Sequence, residues 1–230
     1  MKSEIQKPQF YGRRKGYKLR RGRQNLIDTL LPEISIPLLS SETILDPTTL
    51  FEQPVKSVWM EVGFGAGEHL LHQAKMHPDI GFLGIEPYIN GVGALLSSIN
   101  HEELPNIRIF NDDVRLLLNH LTENSLGRVF LLFSDPWPKK RHQRRRLLSH
   151  ELLDHLNLQM QTGSELRFAS DDLNYVRNVL RVIFNRTDFV WAPEGPDDWR
   201  RRPQDSVETR YAAKARQAGR PIIYLNFEKV

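Results

Sequence analysis

Five short apolar runs recur along the chain at intervals that helices fill: SVWMEV (57–62), GFLGIE (81–86), NIRIF (106–110), RVFLLFS (128–134) and ELRFAS (165–170). Between them, Glu68 to Met76, Ile89 to Ile99, Val114 to Leu121, Arg145 to Leu158 and Leu173 to Phe184 carry apolar residues at helical spacing. The runs are rich in β-branched and aromatic residues, as buried strands are. Strand and helix in regular alternation, with connections this short, imply an α/β fold: a parallel sheet with helices on both faces. The last run, PIIYLNFEKV, predicts a further strand, antiparallel at or near the sheet edge. Upstream, NLIDTLLPEISIPLL predicts a short amphipathic helix stopped by Pro32, and Pro47 and Pro54 mark a linker. The chain thus divides into a basic, flexible arm over 1–25, a short helix and linker over 26–55, and one domain over 56–230.

A chain of 230 residues, 40% of them hydrophobic, is long enough for one domain with a real core. It has no cysteine, which excludes disulfides, thiolate metal sites and cysteine nucleophiles. The histidines and carboxylates show no HExxH or comparable spacing, so no metal is expected. No apolar run nears the roughly 18 to 20 residues of a membrane helix, and the N-terminus lacks a signal peptide's apolar segment; a soluble, cytoplasmic protein is expected. The net charge of +4 is unevenly spread. Lys2, Lys7, Arg13, Arg14, Lys15, Lys18, Arg20, Arg21 and Arg23 against Glu4 give residues 1–25 a charge of +8, leaving −4 on the remainder. A basic arm on a mildly acidic domain suggests an anionic polymer as partner, because clustered cations gain from counterion release. A solvated leader is the plainer alternative.

MEVGFGAGEHLL places Gly63, Gly65 and Gly67 where the first strand meets the first helix. Glycine there lets the backbone turn tightly and approach a ligand without a Cβ in the way. Dinucleotides and S-adenosylmethionine both use this geometry. The dinucleotide fingerprint wants glycine at the position held by Glu68, and a carboxylate would oppose a pyrophosphate at the helix N-terminus. S-adenosylmethionine carries no phosphate but an ammonium and a sulfonium, which acids such as Glu61 favour. Glu86, closing the second strand, can accept hydrogen bonds from both ribose hydroxyls. Asn111 and Asp112 end the third strand, where an acceptor could meet the adenine amino group. Singly, Glu86 could be a solvated strand end and Asp112 a helix cap; acids at successive strand ends of one sheet favour a nucleoside cofactor.

FLLFSDPWPKKRHQRRRLL follows the fourth strand, beside the expected methyl group. Asp135 there can touch both ligands. Trp137 offers a face on which a base could stack, a contact worth about 1 to 3 kcal/mol. Pro136 and Pro138 restrict the turn and lower the entropy lost on binding. Lys139, Lys140, Arg141, Arg144, Arg145 and Arg146 supply phosphate contacts around the mouth. The bland alternative is a Trp packed on its own proline turn beside a basic solvent face.

With EVGFGAGEHL, GIEPY, FSDPWPKKRH, ASDDLNYV and RRPQDSVETRYAAKA in this order, the sequence resembles the bacterial tRNA (guanine-N7)-methyltransferase family, TrmB, over nearly its whole length. The resemblance implies a Rossmann-like, seven-stranded class I methyltransferase sheet. It also implies S-adenosylmethionine-dependent methylation of guanine 46 in the tRNA variable loop. By the same match Glu61, Glu86, Asp112 and Asp135 line the cofactor, and Lys139, Asp171 and Thr209, Arg210 and Tyr211 face the guanine or tRNA. The family usually continues Thr-Arg-Tyr with Glu, where this chain has Ala212. Glu208, four residues earlier, would share a helical face with position 212 and partly compensate.

Guanine N7 has an in-plane lone pair and no proton, so its attack on a methyl group needs alignment rather than a general base. The product ring is cationic, and a carboxylate beside it stabilises the developing charge. Asp135 is the first candidate for that role. Asp171 is the candidate for the guanine N1/N2 edge, unless it caps the next helix with Ser170. Thr209 and Tyr211 could complete a base pocket, and Arg200, Arg201 and Arg202 could extend the phosphate track. N7 is inaccessible in the deep groove of A-form RNA, which favours a loop in a folded tRNA. The rivals are a nicotinamide-dependent oxidoreductase, another base methyltransferase, and an RNA-binding protein whose methyltransferase fold has lost activity. No obligatory protein partner is inferred.

Overall fold

Among residues 10–37, 40 and 43–230, which the computed structural model describes, seven strands form one sheet. They are β1 (Ser57–Val62), β2 (Ile80–Ile85), β3 (Ile107–Phe110), β4 (Leu126–Leu132), β5 (Met160–Ser170), β6 (Phe189–Val190) and β7 (Ile223–Lys229). Their order is β3-β2-β1-β4-β5-β7-β6. The first five run parallel, and β7 is antiparallel to both β5 and β6. β7 is therefore one strand in from the edge, which the two-residue β6 covers. β2 is buried at all six positions, as a strand covered on both faces must be.

The helices are α1 (Arg21–Ile34), α2 (Glu68–Met76), α3 (Ile89–Glu102), α4 (Val114–Leu118), α5 (His150–Gln159), α6 (Leu173–Phe184), α7 (Asp197–Arg200) and α8 (Arg210–Gln217). Leu70, Leu71 and Ala74 of α2 and Val92, Leu95, Leu96 and Ile99 of α3 join Phe82, Ile107 and Ile109 in the core of one sheet face. Leu26, Ile27, Leu30, Leu31 and Ile34 of α1 close that core from outside. On the other face, Val114, Leu117, Leu152, Leu153, Leu156, Tyr175, Val179 and Ile183 of α4, α5 and α6 pack on Val58, Met60, Leu83 and Val129.

Four predicted helices differ in extent: α3 runs three residues past the expected Ile99 and α4 ends three short of Leu121, and α1 and the helix expected over 145–158 differ more. α1 begins at Arg21 and runs through Pro32, ending two residues later. A proline in a last turn forfeits one intrahelical bond, and the apolar stripe packed on α3 outweighs that loss. The helix expected over 145–158 is divided. Lys140–Arg145 forms a 3-10 turn, Arg146 is extended, and α5 starts after Ser149, whose hydroxyl accepts from the Leu152 amide. The described part of the basic arm makes specific contacts: Arg14 O accepts from the Ile89 amide, and Gly16 N and Tyr17 O pair with the Asn90 side chain at the start of α3. Lys2, Glu4 and Lys7 lie outside the described residues.

The chain proceeds outward from β1 to β2 and β3, then returns to β4 on the other side of β1. Such a reversal opens a crevice at the strand C-termini, where ligands bind in open α/β sheets. The crevice floor depends on close backbone approach. A Cβ at Gly91 of α3 would lie 2.2 Å from the Gly65 carbonyl oxygen, against backbone that cannot swing away. Gly91→Ala should therefore lower stability by about 1 to 3 kcal/mol, measured by urea unfolding, and displace the turn above it.

Candidate active site

The glycine turn joins β1 to α2 with Gly63, Gly65 and Gly67 all at positive φ, 77°, 60° and 85°. Nothing lies within 4 Å of a Cβ built on Gly63, so the space above the turn is open to a ligand. Around it stand the predicted acids. Glu86 Oε2 accepts from the Gly65 amide at 2.8 Å and Oε1 from the Tyr88 amide at 2.9 Å, so the carboxylate is fixed in orientation with a lone pair left on each oxygen. Burial raises the Glu86 pKa; the two amides oppose the rise, the charge of Asp135 adds to it, and Arg210 opposes it. Glu61 is buried, and its Oε2 lies 2.7 Å from His69 Nδ1 on α2.

At the end of β3, Asn111 Nδ2 donates to Glu86 O at 2.6 Å, bracing the two strand ends. Asp113, rather than Asp112, caps α4, accepting from the Arg115 amide. Asp112 is thus not a cap; its Oδ1 accepts from the Asp113 amide and pairs with Arg14 at 2.7 Å.

After β4 the chain enters a loop without glycine in which Phe133 and Trp137 have φ of 55° and 44°. Non-glycine residues in this region cost about 1 to 3 kcal/mol each, and persist only where surrounding contacts over-determine them. Asp135 is exposed between them. Trp137 does not present a bare stacking face as expected: the Arg145 guanidinium lies 5.0 Å from its ring centre, and Tyr11 and His142 meet it edge-on at 6.4 and 6.0 Å. The same guanidinium is 4.6 Å from the Tyr11 ring centre, so Arg145 is held between two aromatics, one from the arm. Arg146 is buried. Of the six cations expected to contact phosphate, Lys139, Lys140, Arg141 and Arg144 are exposed and in no ion pair among the described residues.

The segment before α8 brings the third group. Arg167 Nη1 on β5 donates to both Asp205 oxygens, at 2.8 and 2.7 Å, and Gln73 donates to Asp205 O at 2.6 Å. Thr209 then caps α8 through the Ala212 amide, and α8 starts over the glycine turn. A Cβ at Gly65 would lie 3.4 Å from Tyr211 Cε2 and 3.6 Å from Arg210 Nη2. Below this segment a small cavity is lined by His69, Phe130, Ala169, Thr209, Ala212 and Tyr224. Asp171 is not a cap either, since Asp172 caps α6; its Oδ2 accepts from Arg220 Nε at 2.7 Å.

Comparison with known proteins gives this geometry a family. The family described as "Putative methyltransferase" matches residues 55–225. A tRNA (guanine-N(7)-)-methyltransferase of Rhodospirillum rubrum is 50% identical over 222 residues, covering 96% of this chain and 87% of its own. The chain belongs to the tRNA (guanine-N(7)-)-methyltransferase family. A second member, from Bartonella henselae, is 43% identical over 96% of this chain and 95% of its own. The aminoglycoside resistance methyltransferase NpmB1 is only 16% identical but shares the fold, with a TM-score of 0.52 over 76% of this chain and 88% of its own.

For this family member, the crevice brings together Gly63, Gly65, Gly67, Glu86, Asn111, Asp112 and Asp135 at neighbouring strand ends. Arg210 and Tyr211 of α8 reach the same turn. Glu61 is beneath the turn, joined to His69. Lys139 and Asp171 stand on the β4 and β5 side, at the start of the 3-10 turn and the end of β5. Sequence spacing gave no sign of His69, of Tyr11 and Arg14 reaching the crevice, or of the Arg167 pair with Asp205. The last two depend on contacts between residues distant in sequence, while the His69 pair with Glu61 depends on how α2 turns back over β1.

The Glu208 expectation does not hold. Glu208 precedes the cap of α8, so it is not on a helical face with Ala212, and it pairs with Arg216 at 2.9 Å. Glu208→Ala should leave tRNA methylation within about twofold of the parent, as surface ion pairs contribute little. Asp205 behaves differently. Burial disfavours its charge, but the Arg167 hydrogen bonds and the charges of Arg167 and Arg128 prevail and hold its pKa below the usual carboxylate value. A depressed carboxylate stabilises the fold above its unfolded pKa of about 4, and the effect is lost as pH falls through the folded value. Asp205→Asn should therefore lower the melting temperature at pH 7, with the gap from the parent narrowing below about pH 4.

Proposed function

We propose that the chain transfers a methyl group from S-adenosylmethionine to N7 of guanine 46 in the tRNA variable loop. The observation that carries this reading is the Glu86 carboxylate, fixed by the Gly65 and Tyr88 amides beside an open glycine turn, with Asp135 in the loop after β4 on the other side of β1. A carboxylate suited to a ribose and a carboxylate suited to a reacting base thus share one opening, in a chain whose relatives are named tRNA (guanine-N(7)-)-methyltransferases.

The residues fit the cofactor. The turn is open above Gly63, and the surrounding acids suit a ligand with two positive centres and no phosphate. Glu86 takes the ribose hydroxyls on its two remaining lone pairs, Asp112 and Asn111 take the adenine edge, and Glu61 favours the ammonium end. Bound S-adenosylmethionine supplies a methyl group activated by its sulfonium. Asp135 faces the guanine ring and stabilises the positive charge that grows on it as N7 is alkylated. No group need remove a proton from N7, so the protein's contribution is alignment and charge. Asp171 accepts from the N1/N2 edge, sharing its carboxylate with Arg220. The Thr209 hydroxyl, whose oxygen already accepts the Ala212 amide, keeps its O–H to donate. Lys139, Arg210 and Tyr211 border the tRNA side, where Lys139, Lys140, Arg141 and Arg144 meet phosphates together with the arm.

Ala212 favours one second reading, a tRNA-binding protein of impaired activity, since it is buried beside the cavity with no carboxylate of its own. One experiment separates the two. Purified protein incubated with methyl-labelled S-adenosylmethionine and unmodified tRNA should yield labelled 7-methylguanosine at position 46. Asp135→Ala should lower the rate on the order of a hundredfold or more. Binding of tRNA without label would support the second reading.

A further inference from the structure

Both chain neighbours of Asp135 are tied to the same pair of buried side chains. Arg146 Nε donates to the Pro136 carbonyl at 2.8 Å. Its guanidinium carbon lies 5.1 Å from the centre of the Tyr175 ring, and Tyr175 is fully buried on α6. The Tyr175 hydroxyl in turn lies 3.3 Å from Ser134 Oγ and accepts the Leu148 amide at 3.1 Å. Ser134 and Pro136 flank Asp135 in the loop that holds Phe133 and Trp137 at positive φ. The bond from Phe133 N to Ala169 O, at 2.8 Å, fixes the start of that loop on β5. Arg146 and Tyr175 thus hold the backbone immediately on each side of the carboxylate, while Arg145 packs on the Trp137 ring further along.

The sequence reading placed Arg146 among the phosphate contacts, yet only 5% of it is exposed. We propose that Arg146, seated on Tyr175, is a positioning residue that fixes Asp135 for methyl transfer and does not contact the tRNA backbone. Donating through Nε while the guanidinium carbon sits by an aromatic ring is a task for arginine; an ammonium has the charge without the Nε donor or the planar shape. The inference rests on the role given to Asp135 under the proposed function.

The test is steady-state and single-turnover methylation of tRNA by the full chain, with kcat and the tRNA KM measured at two salt concentrations. Arg146→Gln should lower kcat on the order of a hundredfold, as misplacement of a reacting group does, with the tRNA KM and its salt dependence unchanged. Arg146→Lys should recover little of that loss. Tyr175→Phe, which keeps the ring and removes the hydroxyl, should give a smaller fall in kcat. Arg144→Gln, an exposed cation, should raise KM and flatten its salt dependence instead. In an Asp135→Ala background, Arg146→Gln should cause no further loss, because it acts through the missing carboxylate. Full activity in Arg146→Lys, a change confined to KM, or an additive loss with Asp135→Ala would overturn the inference. So would a fall in rate matched by the fraction unfolded in circular dichroism at the assay temperature. Failure of the proposed function itself shows separately, as absence of label with the parent protein.

Discussion

The hydrogen bond from the Gly65 amide to the buried Glu86 carboxylate is the joint on which the site depends. It links the turn after β1 to the end of β2, and the Tyr88 amide holds the second oxygen. A buried carboxylate without partners would be costly, whereas charge-assisted bonds of this kind contribute about 1.5 to 3 kcal/mol each. The same pair of bonds sets the carboxylate's orientation. Asn111 then braces β3 against the Glu86 carbonyl, so three strand ends share one network. Gly91 permits α3 to pack closely against the turn. Stability and ligand geometry here are one arrangement.

The other side of the crevice is built on opposite terms. The loop after β4 has no glycine where its backbone most needs one, and Phe133 and Trp137 take up the strained conformation. Its geometry is imposed from outside, by Arg145 between Tyr11 and Trp137 and by Arg146 on Tyr175. The two sides also differ in electrostatics: acids around the glycine turn, cations outside the loop. A cationic ligand and an anionic polymer can therefore approach one opening from different directions without competing for charge.

The segment that carries Thr209, Arg210 and Tyr211 is tethered by Arg167 and Asp205 rather than by regular pairing. That tether brings α8 over the glycine turn. It also explains why the Glu208 expectation fails: the helix starts one residue after the threonine cap, so helical spacing does not extend back to Glu208.

Much of the fold was legible in the sequence because its signals are local. Apolar period and strand composition located β1 through β5, and α2 and α6 begin and end at the expected residues. The glycine turn and the acids at strand ends were equally readable, since a parallel sheet puts successive strand C-termini together. Helix limits near Ser149 and Pro32 depended on a cap and on packing, which periodicity does not register. Cation count predicted a basic rim, but burial decided which cations belong to it: four face outward while Arg145 and Arg146 turn in to hold the loop. In the same way, whether Asp112, Asp171 and Trp137 stand bare or partnered was settled by Arg14, Arg220 and Arg145, residues brought near only by the fold. Sequence determined the elements and the chemical groups at their ends, through interactions a few residues long. Tertiary structure decided which groups are partnered, buried or free to meet a ligand, because those depend on contacts between distant parts of the chain.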